Sequence, residues 1–252
     1  MENLLLLFFI WLIGTCFGSF FIVIGLRIPI GQSIIYPRSS CSKCYHVLNP
    51  FDLIPIFSYF LLKGHCRHCH ISFSFLYPLT EALTGLLFVL IFYQFSNQPI
   101  ECFSLLFLLS FGIIFCISDS FYFLLPDSLM LLFFLFTLFF RLWFHPLSLA
   151  YYLISSFSIF LLFYIFYCLT DEGLGGGDVK LFGILGLFFG YELTLFILFI
   201  ACLISLVVGL ALFTLKNFSI KTHFPFAPAI FLASFIVALY GEKFQAILYS
   251  IL

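Results

Sequence analysis

Apolar residues along this chain fall into eight long blocks, at 4–26, 77–96, 101–118, 128–144, 148–168, 179–190, 192–215 and 226–250. A helix needs about 20 such residues to cross a hydrocarbon core roughly 30 Å thick. The pattern therefore predicts an all-α polytopic membrane protein with about eight transmembrane helices. The sixth block is the short one: twelve residues rise only about 18 Å at 1.5 Å per residue. Either that helix begins earlier, inside the glycine run that precedes it, or it is a half-helix sheltered by its neighbours. Polar residues gather in one sizeable interruption, 27–76, rich in Pro, Ser, Cys and His. The domain reading is a first helix (1–26), an inserted cysteine module (27–76) and a membrane-embedded remainder (77–252).

Composition agrees with the block pattern. The chain of 252 residues is 64% hydrophobic and 8% charged, with 41 Phe. No soluble domain hides that much apolar surface, so lipid is the solvent for most of the chain. A net charge of −1 argues against nucleic acid as a partner. The opening "MENLLLLFFIWLIGTCFGSFF" lacks a basic start and a small-residue cleavage site, and reads as a retained helix rather than a signal peptide.

The few cations set an orientation. If 27–76 faces the cytoplasm and every block spans, then Arg27, Arg38, Lys43, Lys63, Arg67, Lys180, Lys216 and Lys221 lie on or beside that side. Only Arg141 and Lys243 fall near the other. The bias follows the positive-inside rule, favours eight spans over seven, and leaves the N-terminus outside.

Nine cysteines are present. Four form the pairs "CSKC" (Cys41, Cys44) and "CRHC" (Cys66, Cys69), a spacing that turns two thiolates toward one point in each pair and suits a tetrahedral structural zinc site. Lys43 and Arg67 would ease thiolate formation. Two disulfides or unrelated structural thiols are the alternatives, the disulfides being disfavoured in a reducing cytoplasm. Cys16, Cys102, Cys116, Cys168 and Cys202 fall in or at the ends of apolar blocks and read as small apolar residues.

Among eleven acidic residues, Glu2, Glu101, Glu192 and Glu242 sit at block ends, and Asp52 lies in the module. Glu81 lies just inside the second block, where a buried carboxylate is unfavourable and points to function. Asp119 and Asp127 occur in "SDSFYFLLPD", and Asp171, Glu172 and Asp178 in "DEGLGGGDVKL". Asp127, after Pro126, has the place of a helix N-cap, and Asp171 and Glu172 read as loop charges. Asp119 ends a helix, where the dipole opposes an anion; Asp178 starts one, where the dipole favours it. Brought together, such carboxyls could share a proton across a water, one acting as base and the other as acid. Gly175, Gly176 and Gly177 remove side chains before Asp178 and would let another backbone approach. Lys180, two residues on, either holds the Asp178 carboxylate or anchors the helix at the interface. On residues alone, the carboxylates would also serve a proton- or cation-coupled transporter, and the cysteines a non-catalytic, zinc-stapled scaffold.

Five ordered segments together resemble the bacterial type IV prepilin peptidases, membrane aspartic proteases of which many are also N-methyltransferases. They are "GSFFIVIGLRIP" (18–29), the two C-x-x-C pairs, "YPLTEALTG" (77–85), "SDSFYFLLPD" (118–127) and "GLGGGDVKL" (173–181). Ile22 stands where that family often carries Asn. The resemblance implies that Asp119 and Asp178 are the catalytic pair, with Gly175, Gly176, Gly177, Lys180, Asp127 and Glu81 in support. It implies type IV prepilin or pseudopilin precursors as substrates, cut after a glycine at the cytoplasmic face just before a hydrophobic helix. It also implies S-adenosylmethionine as the donor where the new N-terminus is methylated.

Overall fold

The computed structural model describes residues 2–41, 43–170, 175–216 and 225–251. Asp171, Glu172 and Lys221, assigned above from sequence, lie outside the described residues. Each apolar block forms a helix. In chain order they are α1 (Glu2–Arg27), the short α2 (Phe57–Leu61) in the polar module, α3 (Leu76–Gln94), α4 (Pro99–Tyr122), α5 (Asp127–Trp143), α6 (Leu149–Leu169), α7 (Gly176–Phe189), α8 (Tyr191–Lys216) and α9 (Ala227–Ile251). Among the described residues there is no strand, only isolated bridges pairing Ser40 with Val47 and His65 with Ser72.

Helix number and span number differ. Among the described residues, five segments are long and apolar enough to cross a bilayer: Leu4–Ile30, Leu76–Gln94, Pro99–Tyr122, Leu149–Leu169 and Tyr191–Leu212. At 17 and 14 residues, α5 and α7 reach only about 26 and 21 Å, short of a core roughly 30 Å thick. The apolar stretch Ala227–Gly241 of α9 is likewise below span length. The sixth block does begin early: α7 starts at Gly176 with Gly175 as its N-cap.

The chain forms two compact units, Met1–Ile117 and Ser118–Leu252. In the first, α1 packs along α3 at close range. A Cβ on Gly18 would lie 2.8 Å from Thr84 Oγ1, and one on Gly14 would lie 2.8 Å from the Gly85 Cα. Small residues at these two positions let the backbones approach, as membrane helices require when no hydrophobic effect drives them together.

In the second unit α7 is the central element, packed against α5, α6 and α8. Val179, and every residue from Leu181 to Phe188, are buried. A helix apolar on all sides belongs in a core, and enclosure by neighbours lets a short one persist. Close approach to α6 is again through glycine: a Cβ on Gly186 would meet the Ser155 carbonyl oxygen at 3.1 Å, and the Ser156 hydroxyl donates to the Gly183 carbonyl at 2.8 Å. At the far end of α7, the Arg141 guanidinium donates to the Phe188 carbonyl and lies over the Tyr152 ring at 4.3 Å. A cation on the last carbonyls of a helix opposes its terminal dipole.

Candidate active site

Asp119 lies in the last turn of α4 and is 8% exposed. Its Oδ2 accepts the Ala227 N–H at 2.9 Å, and the Phe226 backbone N–H also donates to this carboxylate. The dipole of α4 opposes an anion here, as the sequence implies, but the first amides of α9 supply a compensating partial positive charge. The contrast expected between an anion-averse Asp119 and an anion-tolerant Asp178 is thereby reduced. Ser118, beside it and fully buried, donates from its hydroxyl to the Leu124 carbonyl and ties down the turn after α4.

Asp178 is the third residue of α7. Its carboxylate reaches back to the backbone N–H of Gly175, the N-cap, which is one half of a capping box. The negative charge of Asp119 acts on it. The fold thus makes Asp119 and Asp178, 59 positions apart in sequence, electrostatic neighbours.

The glycine run before Asp178 serves space rather than backbone freedom, since Gly175, Gly176 and Gly177 are absent from the positive-φ residues. Its three positions differ. A Cβ on Gly175 would lie 3.1 Å from Asp178 Oδ2. One on Gly177 would lie 3.1 Å from the Leu125 Cβ. Gly176 has nothing within 4 Å and opens onto free space.

Lys180 and Asp127 form an ion pair, Nζ to Oδ1 at 2.6 Å. Asp127 is therefore not the N-cap expected of it. Pro126 holds that position, without a side-chain cap, and Asp127 is the first helical residue. An opposing lysine offers its carboxylate a charged donor, stronger than a neutral backbone amide.

Glu81 belongs to the first unit. It is 8% exposed, its Oε2 accepts the Ile56 N–H at 2.7 Å, and the Ser19 side chain also hydrogen-bonds to it. This carboxylate therefore fastens the cysteine module to α1 and α3.

The four module cysteines converge. One sulfur from each of Cys41, Cys44, Cys66 and Cys69 lies within 4.8 Å of the others, with Cys41 to Cys69 at 3.6 Å and Cys44 to Cys66 at 4.0 Å. None is in a disulfide. The two halves repeat one design. Cys41 N–H donates to His46 O and Tyr45 N–H to Cys41 O, while Cys66 N–H donates to Ile71 O and His70 N–H to Cys66 O. Tyr45 and His70 both take positive φ, 57° and 54°. The backbone N–H groups of Cys44 and then Lys43 hold the Cys41 thiol down at about 6, while, against the lowering effect of the His46 amide, burial and the neighbouring sulfurs push Cys44 up to about 11, so Cys41 gives up its proton before Cys44. The group could hold a metal ion.

Sequence reasoning missed the amides of Phe226 and Ala227. The only signal was "FAPAIF", where Pro228 marks the first turn of a helix; nothing in it names the acceptor.

Comparisons with known proteins divide the chain similarly. The family described as Bacterial Peptidase A24 N-terminal domain matches residues 12–95, and the Type IV leader peptidase family matches 106–210. A Bacillus subtilis protein named Prepilin leader peptidase/N-methyltransferase is 34% identical over 93% of this chain and 94% of its own. Proteins of the same name from Neisseria gonorrhoeae (31%; 89% and 87% covered) and Pseudomonas aeruginosa (30%; 84% and 74% covered) are also similar. No solved structure matches.

Proposed function

Because the chain belongs to the type IV leader peptidase family, we propose that Asp119 and Asp178 are the catalytic pair of an aspartic endopeptidase that removes the leader from type IV prepilin or pseudopilin precursors. The observation that carries this reading is the packing of the start of α7 on the turn after α4, Gly177 against Leu125, which brings Asp178 within the field of the Asp119 carboxylate. Like charges so placed favour holding one proton between them. The ionised carboxyl takes a proton from the attacking water. The protonated one gives its proton to the scissile carbonyl oxygen; as the intermediate collapses, the carboxyl that took the water proton gives it to the leaving amine and the other takes back the hydroxyl proton. The Ala227 amide at the start of α9 fixes Asp119, and the Gly175 amide fixes Asp178 at the start of its own helix. An extended peptide fits over Gly176, where no side chain intrudes.

The cut follows a glycine next to the substrate's hydrophobic helix, which stays in lipid while its leader reaches the cytoplasmic face. That sidedness rests on the Lys and Arg distribution, counted with every apolar block as a crossing and the N-terminus outside. Lys180 and Asp127 fasten the start of α7 to the start of α5.

Zinc is the metal suited to Cys41, Cys44, Cys66 and Cys69. Sulfurs bound at about 2.3 Å in a tetrahedron stand about 3.8 Å apart, between the two separations of 3.6 and 4.0 Å. Four thiolates leave no open position, so its role is to hold the module folded. The second activity is methylation of the new N-terminus, for which S-adenosylmethionine supplies the methyl group when bound.

Purified chain in liposomes, given a prepilin-like precursor, should yield by mass spectrometry a product beginning directly after the leader glycine. An intact precursor under conditions where the protein is folded would overturn the proposal.

A further inference from the structure

Residues 27–76 are polar as a whole, but they contain one apolar run, "PFDLIPIFSYFLL" (50–62). It folds into the turn Pro50–Leu53 and the short α2. In a module surrounded by water, a helix turns its apolar stripe toward the core. Here the stripe is reversed. Phe57, Phe60 and Leu61, at the i, i+3 and i+4 spacing of one helix face, are 64%, 64% and 75% exposed, and Phe51 before them is 77% exposed.

The inner face of α2 fixes its rotation. Tyr59 is half-buried, and its hydroxyl donates to the Phe73 carbonyl at 3.4 Å. Its ring packs so closely on Gly64 that a Cβ there would lie 2.9 Å away. Turning the stripe inward would break both contacts.

The bond to Glu81 sets the depth of α2. Glu81 is the sixth residue of α3, about 7.5 Å along the axis from Leu76. The 19 residues of α3 rise about 28 Å. That crosses a core roughly 30 Å thick only with Leu76 at its edge, which places Glu81 inside the edge. Glu81 Oε2 accepts the N–H of Ile56 at 2.7 Å, and Ile56 is the N-cap of α2. Helical side chains lean toward the start of their helix, so Ile56 stands between Leu76 and Glu81 in depth. At this end of α3 the Phe75 ring also lies 6.0 Å from that of Tyr59. Headgroups meet acyl chains at this level, and an interfacial helix sinks its apolar face there by about 5–10 Å. Charge agrees with that placement. Residues 27–76 carry five cations, Arg27, Arg38, Lys43, Lys63 and Arg67, against one acid, Asp52, the sign that anionic headgroups attract.

We propose that α2 and the turn before it form a lipid-binding element. Phe51, Phe57, Phe60 and Leu61 enter the bilayer surface beside the start of α3, and the cysteine module lies on the membrane instead of standing in water. The element holds whether or not the chain cleaves prepilins, since its residues belong to the first unit and Asp119 and Asp178 to the second.

Tryptophan fluorescence of the full-length, zinc-loaded protein in nanodiscs of phosphatidylcholine and phosphatidylglycerol tests this. Phe60→Trp introduces a residue type that membranes hold at their interface, and its emission is the signal gained over wild type, which has Trp11 and Trp143. Lipids brominated near the headgroup end of the acyl chains should quench that added emission about twofold or more, as a residue at interfacial depth requires. Absence of bromolipid quenching overturns the proposal. With quenching by aqueous acrylamide instead, the stripe stands in water; with neither, a protein surface such as a second copy covers it. Should Phe60→Trp lose its zinc or its fold, Leu61→Trp carries the same prediction.

Discussion

Asp119 is held by the backbone of a helix that begins 108 positions later: its Oδ2 accepts the Ala227 N–H at 2.9 Å in a buried setting. Ala227 is the first residue of α9, a position where proline is sterically accepted and removes only the N–H. Ala227→Pro should therefore lower kcat roughly tenfold to a hundredfold, the value of a hydrogen bond to a charged group. KM for the precursor and the melting temperature should stay near wild type, and Ala227→Gly, which keeps the donor, should keep the rate. Equal loss in both variants would mean that the side chain, not the amide, matters.

The glycine run should respond position by position. Gly177→Ala presses on Leu125 at 3.1 Å and should destabilise by about 1–3 kcal/mol, as overpacking does. Gly176→Val meets open space; its effect should fall on the substrate, as a raised KM with little change in melting temperature. Thermal unfolding and steady-state kinetics of the two variants separate these outcomes.

The Lys180–Asp127 pair is short but exposed, with half of the Lys180 side chain and 78% of that of Asp127 accessible. Exposed pairs contribute little to stability, about 0–1 kcal/mol. A double-mutant cycle with Lys180→Met and Asp127→Asn should give a coupling below about 1 kcal/mol that shrinks with added salt. A larger, salt-insensitive coupling would mean that the pair is shielded from water.

Much of this organisation is legible in the sequence, for a physical reason: lipid forces every backbone group to bond within its own segment, so each apolar block had to be a helix. The cysteine spacing encodes the Cys41, Cys44, Cys66 and Cys69 cluster directly. What the sequence hides is contact between distant backbones. The Ala227 amide that holds Asp119 has no side chain to announce it. Asp127 follows the cap rule locally, yet Lys180, 53 positions away, takes its carboxylate. Span number is hidden too, because α7 replaces length with enclosure by α5, α6 and α8.

Metal removal should act on the first unit. One zinc per chain is expected by elemental analysis of the purified protein, and none in Cys41→Ser with Cys66→Ser. Because metal binding is folding free energy for so small a module, chelation should open residues 27–76 to protease. Unchanged protection after complete zinc loss would contradict a stapling role.

The most direct test of the central claim is cleavage of a prepilin precursor by Asp119→Asn, Asp178→Asn and the double variant in membranes at matched protein levels. Groups that act as one unit are not additive. Each single substitution should abolish cleavage, and the double should be no worse than either. Wild-type cleavage in either single variant would contradict the account.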